Sequence, residues 1–169
     1  MVLIGLGSNQ GASVAIVLAA MEALLEFAVP SSFSRSRLWQ TSPVDCPPDS
    51  DTFVNAAVCF EARAGLTPEK LLRELKRLEA EFGRGKKLVR NAPRELDLDL
   101  LVYDQQLRDT EMFTLPHPRA IDRLFVLAPV AEIAPSLIWP GTEQSITELL
   151  DALDTNEEAI PLAEPATGS

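Results

Sequence analysis

The stretch Pro93-Arg94-Glu95-Leu96-Asp97-Leu98-Asp99-Leu100-Leu101 limits this chain more than any other. Leucine and acid alternate with a period of two, the period of a β-strand. On a strand, residues i and i+2 share a face, so Asp97 and Asp99 point the same way about 6.6 Å apart along the chain. On a helix they would diverge by about 200°. Leu96, Leu98 and Leu100 fill the opposite face, so the strand lies on a core with its acidic face turned elsewhere. Two neighbouring carboxylates repel unless a cation joins them. Hard oxygen donors of this kind suit Mg²⁺, which takes one or two carboxylates, several waters and substrate phosphates. A solvent-facing strand that is simply acidic is the competing reading.

The residues just before the strand are basic. Arg84, Lys86, Lys87, Arg90 and Arg94 fall in one window without an acid, in a chain of net charge -10 with 15 Lys and Arg in all. The whole chain should avoid nucleic acid and anionic membrane, while this one segment should attract a small polyanion. Gly83, Gly85 and Pro93 break regular structure, so the window reads as a loop running into the Asp strand. A basic loop beside a carboxylate pair is what a nucleoside triphosphate needs, because metals neutralise phosphate oxygens and guanidinium groups clamp them. A solvated charged loop is the plainer alternative.

Length and composition set the outer bounds. A chain of 169 residues with 46% hydrophobic content makes one domain with a real core. The expected division is a folded domain over 1–155 and a disordered tail over 156–169, rich in Ala, Pro, Glu, Gly and Ser. No run has the length of a membrane span, and the Gly-broken start has no basic n-region of a signal peptide. Cys46 and Cys59 have neither metal-motif nor disulfide-framework spacing. A cytoplasmic protein, monomeric or weakly dimeric, is the expectation.

Alternating elements follow from periodicity. Val2–Leu6 reads as a strand and Ser13–Phe27 as a helix with Val17, Met21 and Leu24 at helical spacing. Ser32–Gln40 reads as one strand, 41–51 as a loop with Pro43, Pro47 and Pro48, and 52–61 as a strand. Thr67 caps a helix that has Pro68 in its first turn and runs to Phe82. After the basic loop come the strand 95–103 and a short return strand over Gln106–Arg108. Helices are expected over Asp122–Glu132, irregular at Pro129, and over Ser145–Leu153. The order βαββαβ points to a ferredoxin-like α+β fold, helices packed on a mainly antiparallel sheet.

Two glycine patterns lead nowhere. Gly5-x-Gly7-x-x-x-Gly11 misplaces its third glycine for a dinucleotide site, and Gly83-Arg84-Gly85-Lys86-Lys87 lacks the spacing and hydroxyl of a P-loop. Phe53 and Asn55 share one face of their strand. An Asn among apolar residues must pair, either with a nearby loop backbone or with a heterocyclic amide edge on which Phe53 could stack. His117, in Leu115-Pro116-His117-Pro118-Arg119, is the only histidine. Flanking prolines limit its backbone, and it serves either as a structural residue or, with Arg123, as a phosphate contact.

The run Arg90-Asn91-Ala92-Pro93-Arg94-Glu95-Leu96-Asp97-Leu98-Asp99-Leu100-Leu101 closely resembles the signature of the 6-hydroxymethyl-7,8-dihydropterin pyrophosphokinases of the folate pathway. The likeness continues, in the family's order over about residues 2–150, in Gly5-Leu6-Gly7-Ser8-Asn9, Thr41-Ser42-Pro43, Phe53-Val54-Asn55-Ala56-Ala57-Val58, Glu79 with Gly83-Arg84, the His117 segment, and Phe125-Val126-Leu127-Ala128-Pro129. The resemblance implies transfer of the β,γ-pyrophosphoryl unit of ATP to the pterin alcohol, with release of AMP. It implies that Asp97 and Asp99 hold two Mg²⁺ and that Arg84 and Arg94 take part in catalysis. ATP would meet Glu79, Lys86, Arg90, Arg94, Leu100, Thr114, His117 and Arg123. The pterin would lie between Phe53 and Phe125, its polar edge read by Asn55 and by Thr41, Ser42, Pro43 and Val44. Asn91 stands where some members carry Trp, and Pro118 where some carry Tyr.

Two other classes use parts of this pattern. A glycosyltransferase would use Asp-x-Asp with a nucleotide sugar, and a non-catalytic module would bind a small molecule without needing the carboxylates. Release of AMP from ATP and the hydroxymethyl-dihydropterin separates all three.

Overall fold

The computed structural model describes residues 1–9, 13–41, 53–83 and 96–162. Strand β1 (Val2–Ser8) is followed by helix α1 (Ser13–Leu24), which tightens into a 3-10 turn at Leu25–Phe27. Short strands β2 (Ser34–Arg35) and β3 (Trp39–Thr41) precede β4 (Phe53–Phe60). Helix α2 (Pro68–Phe82) precedes β5 (Asp97–Tyr103). A small hairpin of β6 (Arg108–Asp109) and β7 (Thr114–Leu115) follows, then a 3-10 turn at Ala120–Asp122. Helices α3 (Leu124–Ile133) and α4 (Ile146–Ala152) lead to a last strand, β8 (Ala159–Pro161).

Local chemistry accounts for the helix ends. The Thr67 hydroxyl accepts from Lys70 N, Pro68 gives up no needed donor, and Leu71, Leu75 and Leu78 bury one stripe of α2. Ser145 and Glu148 form a reciprocal capping box at the start of α4.

Every pairing in the main sheet is antiparallel, in the order β5-β1-β4-β3-β8 with β2 also on β4. Both faces are covered, unequally. Val2, Ile4, Leu6, Val58, Phe60, Leu98 and Leu100 pack under α1 and α2. On the other face Leu3, Leu101 and Val102 meet Leu127, Val130, Trp139 and Ile146 of the α3–α4 side. Leu3 pairs with Val102 but Ile4 with Leu100, so Leu101 is an extra residue and β5 bulges there. The bulge lets Leu101 and Val102 join one core. The α3–α4 layer covers only that end of the face, leaving the end with Gly5, Gly7, Asp97 and Asp99 as a cleft.

Several expected elements are altered. The strand expected over Ser32–Gln40 is two strands, because the Ser36 hydroxyl accepts from Ala57 N at 2.9 Å where a backbone carbonyl would otherwise do so. The return strand expected at Gln106–Arg108 does not fold back on β5. Asp104 takes a left-handed conformation (φ 52°), and Arg108 pairs forward with Leu115. The helix expected from Asp122 begins at Leu124 after the 3-10 turn. The tail expected to be disordered from 156 instead forms β8, with Leu162 N donating to Leu38 O at 2.8 Å. Residues 163–169 lie outside the described residues.

Candidate active site

The cleft is laid out by strand register. Asp97 on β5, Gly7 on β1, Asn55 on β4 and Trp39 on β3 form one row across the sheet, and Asp99, Gly5 and Ala57 form the next. Asp97 and Asn55 are two strands apart, about 9.5 Å, with only glycine hydrogen between them. Gly7 is required by space rather than by φ: a Cβ there would lie 2.8 Å from Asn55 Nδ2. At Gly5 a Cβ would meet Leu101 Cδ1 at an ordinary 3.5 Å.

Asn55 is held from both sides. Thr41 Oγ1 donates to Asn55 Oδ1 at 2.5 Å, and Asn55 Nδ2 donates to Leu6 O at 3.4 Å. The buried Asn thus has protein partners and still lines the cleft. Those bonds use one N–H and one lone pair, and a primary amide has two of each.

The cleft has a volume of about 320 Å³, with Phe53 and Phe125 as aromatic walls and Asp97 and Asp99 on its floor. Four residues of the 117–123 segment, His117, Arg119, Ala120 and Arg123, also line it. Neither arginine side chain has a hydrogen-bond or ion-pair partner among the described residues. His117 N donates to Leu101 O at 2.9 Å, and Arg119 N donates to His117 Nδ1 at 3.3 Å. An Nδ1 that accepts assigns the ring proton to Nε2, which is left as a donor. The preceding Leu115–Pro116 peptide is cis.

A second pocket of about 230 Å³ lies past the outer edge of β5, against Leu72 and Lys76 of α2 and Phe113 and Thr114 by the hairpin. Asp99 and His117 line both pockets. On this edge Leu98 N donates to Glu79 Oε2 at 2.8 Å, and the strand alternation turns the Leu100 N–H and C=O the same way. Glu79 also pairs with Lys76 at 3.2 Å, tying α2 to the start of β5 rather than lining the pocket.

The structure therefore brings together Thr41, Phe53, Asn55, Asp97, Asp99, His117, Arg123 and Phe125 around one cleft, with Leu100 and Thr114 at the adjoining pocket. Ser42, Pro43, Val44, Arg84, Lys86, Arg90, Asn91 and Arg94 lie outside the described residues. Sequence reasoning did not single out Arg119 or Lys76. Arg119 closes the His117 motif, and Lys76 lies one helical turn after Leu72, so both had a positional signal. Among the described residues no group of three or more His, Cys, Asp or Glu could hold a metal. Two carboxylates facing a cleft nonetheless fit Mg²⁺, which takes its remaining oxygens from water and phosphate. Gly5 and Gly7, paired with Asp99 and Asp97, add no side chain of their own beside the carboxylates.

An antiparallel sheet carrying a carboxylate pair opposite a cationic turn is a design for small-molecule phosphoryl chemistry, and comparison with known proteins makes the class specific. Residues 3–135 match the profile of the 7,8-dihydro-6-hydroxymethylpterin-pyrophosphokinase (HPPK) family. The chain belongs to this family. It is 38% identical over 147 residues to the 2-amino-4-hydroxy-6-hydroxymethyldihydropteridine pyrophosphokinase of Haemophilus influenzae, covering 87% of this chain and 89% of that one. It is 35% identical over 152 residues to the folic acid synthesis protein fol1 of Pneumocystis carinii, covering 90% of this chain but only 20% of that protein. The Plasmodium falciparum HPPK-DHPS crystal structure superposes with a TM-score of 0.64 over 89% of this chain and 43% of that one; at 13% identity this speaks for the fold alone.

Proposed function

We propose that this member of the family works as a 2-amino-4-hydroxy-6-hydroxymethyldihydropteridine diphosphokinase of folate biosynthesis, with Asp97 and Asp99 holding two Mg²⁺ where ATP and the pterin alcohol meet. The carrying observation is that Asp99 and His117 border both pockets, so ligands in the two would converge on the carboxylates. The pterin takes the aromatic cleft between Phe53 and Phe125, its amide edge against Asn55 and the segment Thr41 to Val44. The nucleoside takes the β5 edge, at the Leu100 backbone and Thr114, with Glu79 fixing that edge from α2.

The hydroxymethyl oxygen attacks the β-phosphorus of ATP in line. The bond from that phosphorus to the α,β-bridging oxygen breaks, AMP departs and the alcohol proton passes to solvent. Bound Mg²⁺ would supply neutralisation of phosphate oxygens and a lowered alcohol pKa. His117 Nε2–H and Arg123 contact phosphate oxygens, as do Arg84, Lys86, Arg90 and Arg94 of the basic segment. One well-aimed cationic donor of this kind is worth about 3 kcal/mol in the transition state. The strand order β5-β1-β4-β3, with α1 and α2 on one face, supports a ferredoxin-like description of the scaffold. No helix among the described residues is long and apolar enough to cross a membrane, and the acidic charge balance disfavours nucleic acid and anionic lipid as partners. The test is AMP production from ATP and 6-hydroxymethyl-7,8-dihydropterin, lost on adding EDTA and restored by Mg²⁺. Metal-independent turnover, or none with the pterin, overturns the reading.

A further inference from the structure

We propose that the segment Thr155–Leu162 is a strap that positions the walls of the pterin cleft, with Glu157 as its positioning residue. The proposal rests on the reading that Phe125, Phe53 and Asn55 hold the pterin. Glu157 Oε2 accepts from Leu124 N at 2.8 Å. Leu124 opens α3 and sits between Arg123 and Phe125, both of which line the cleft. Thr155 Oγ1 accepts from Glu157 N at 3.1 Å and fixes the turn from which the carboxylate reaches out.

This first turn of α3 needs outside support. Pro129 lies inside the helix, and its missing N–H would have bonded the carbonyl four residues earlier, that of Phe125. The turn that carries the aromatic wall is thus one internal bond short. A carboxylate on a free amide at a helix N-terminus adds a charge-assisted bond aligned with the helix dipole. At the far end of α3, Glu132 accepts from Arg37 N at 3.1 Å and from Trp39 Nε1 at 2.9 Å. Two carboxylates therefore fasten α3, one at each end, and Glu157 is the one beside the cleft.

The strap also reaches the opposite wall. Ala159 pairs with Thr41, whose hydroxyl holds Asn55. The Leu162–Leu38 bond sets the alternation so that Ile160 bonds to Gln40 and the ring of Pro161 sits at an outward position. No strap residue lines the cleft, so any effect on substrate must act through Leu124 or Thr41.

Steady-state kinetics on the full chain, with each substrate varied, tests this. Glu157→Ala should raise KM for the pterin about tenfold, the scale of one charge-assisted hydrogen bond, and leave KM for ATP within about twofold. Glu157→Gln, which keeps an acceptor, should recover to within about threefold of wild type. Ile160→Pro removes a ladder donor on the exposed outer strand and should shift the same KM even if Glu157→Ala folds poorly. Glu157→Ala combined with Phe125→Ala should cost less than the two added, because one acts through the other. Equal change in both KM values, full additivity, or a lowered Tm with unchanged pterin KM overturns the strap. If Phe125→Ala itself leaves pterin KM unchanged, the pterin assignment fails and the strap falls with it. If only the strap variants are silent, the assignment stands and the strap alone is refuted.

Discussion

Gly7→Ala is the sharpest probe of the cleft floor. The new methyl would sit 2.8 Å from Asn55 Nδ2, and contacts closer than 3.4 Å are already tight, so the amide must retreat by about 0.6 Å. Asn55 is 6% exposed, and its retreat strains its bonds to Thr41 and to Leu6 O. Each bond is worth about 0.5–1.5 kcal/mol, so stability should fall by about 1–2 kcal/mol. Misplacing a recognition group by a good part of an ångström commonly costs one to two orders of magnitude, so kcat/KM for the pterin should drop about tenfold to a hundredfold. KM for ATP should not move, because Gly7 does not line the second pocket. The assay is initial rates with each substrate varied, alongside thermal melting. Wild-type pterin kinetics in Gly7→Ala, whatever the Tm, would refute the idea that Asn55 reads the pterin from this row.

Asp97→Asn and Asp99→Asn should each abolish most Mg²⁺-dependent turnover while the fold survives; near-normal rates would exclude the metal role. Arg94→Ala should slow turnover more than it lowers Tm, and the opposite pattern would make that residue structural. Ser145→Ala removes half of the α4 capping box and should cost about 0.5–2 kcal/mol in denaturant unfolding with unchanged kinetics. Burial pushes the Cys59 thiol up, the amino terminus opposes this and Glu61 adds to it. The unfolded thiol ionises first, so this contribution to stability is whole below the ordinary thiol pKa and is lost as pH rises through the folded one. Peptide-resolved alkylation of Cys59 should accordingly lag a free thiol as pH rises through the ordinary thiol pKa.

The strands and helices fixed by local signals were legible from sequence. The alternation at 96–100 gives the side chains of β5 their faces, and Thr67-Pro68 with the leucine stripe gives α2 its start. Features set by distant contacts were not legible. The break at Ser36 depends on Ala57, and the forward pairing of Arg108 follows from a left-handed Asp104. Strand β8 depends on an open edge at β3, while its own three residues, Ala159 to Pro161, are too few to show a period. In the cleft, alternation made the shared face of Asp97 with Asp99, and of Phe53 with Asn55, foreseeable, whereas the register that brings the two pairs to one side of the sheet was not. Arg119 and Lys76 were missed because each has a plain solvent-exposed alternative, and Glu157 because a carboxylate serving a backbone amide 33 residues away leaves no local trace.

The two faces of the sheet divide labour in a way that bears on how this enzyme can change. The apolar mass under α1 and α2 holds the chain together, while Gly5, Gly7, Asp97, Asp99 and Asn55 lie on the side that mass does not touch. Substitutions on the carboxylate side of the cleft therefore leave the main reserve of folding free energy nearly intact, whereas the second pocket shares Leu98 and Leu100 with that mass. Substrate-altered descendants should arise through cleft side chains such as Phe53, Arg119 and Arg123, while tightly fitted positions such as Gly7 stay costly to change.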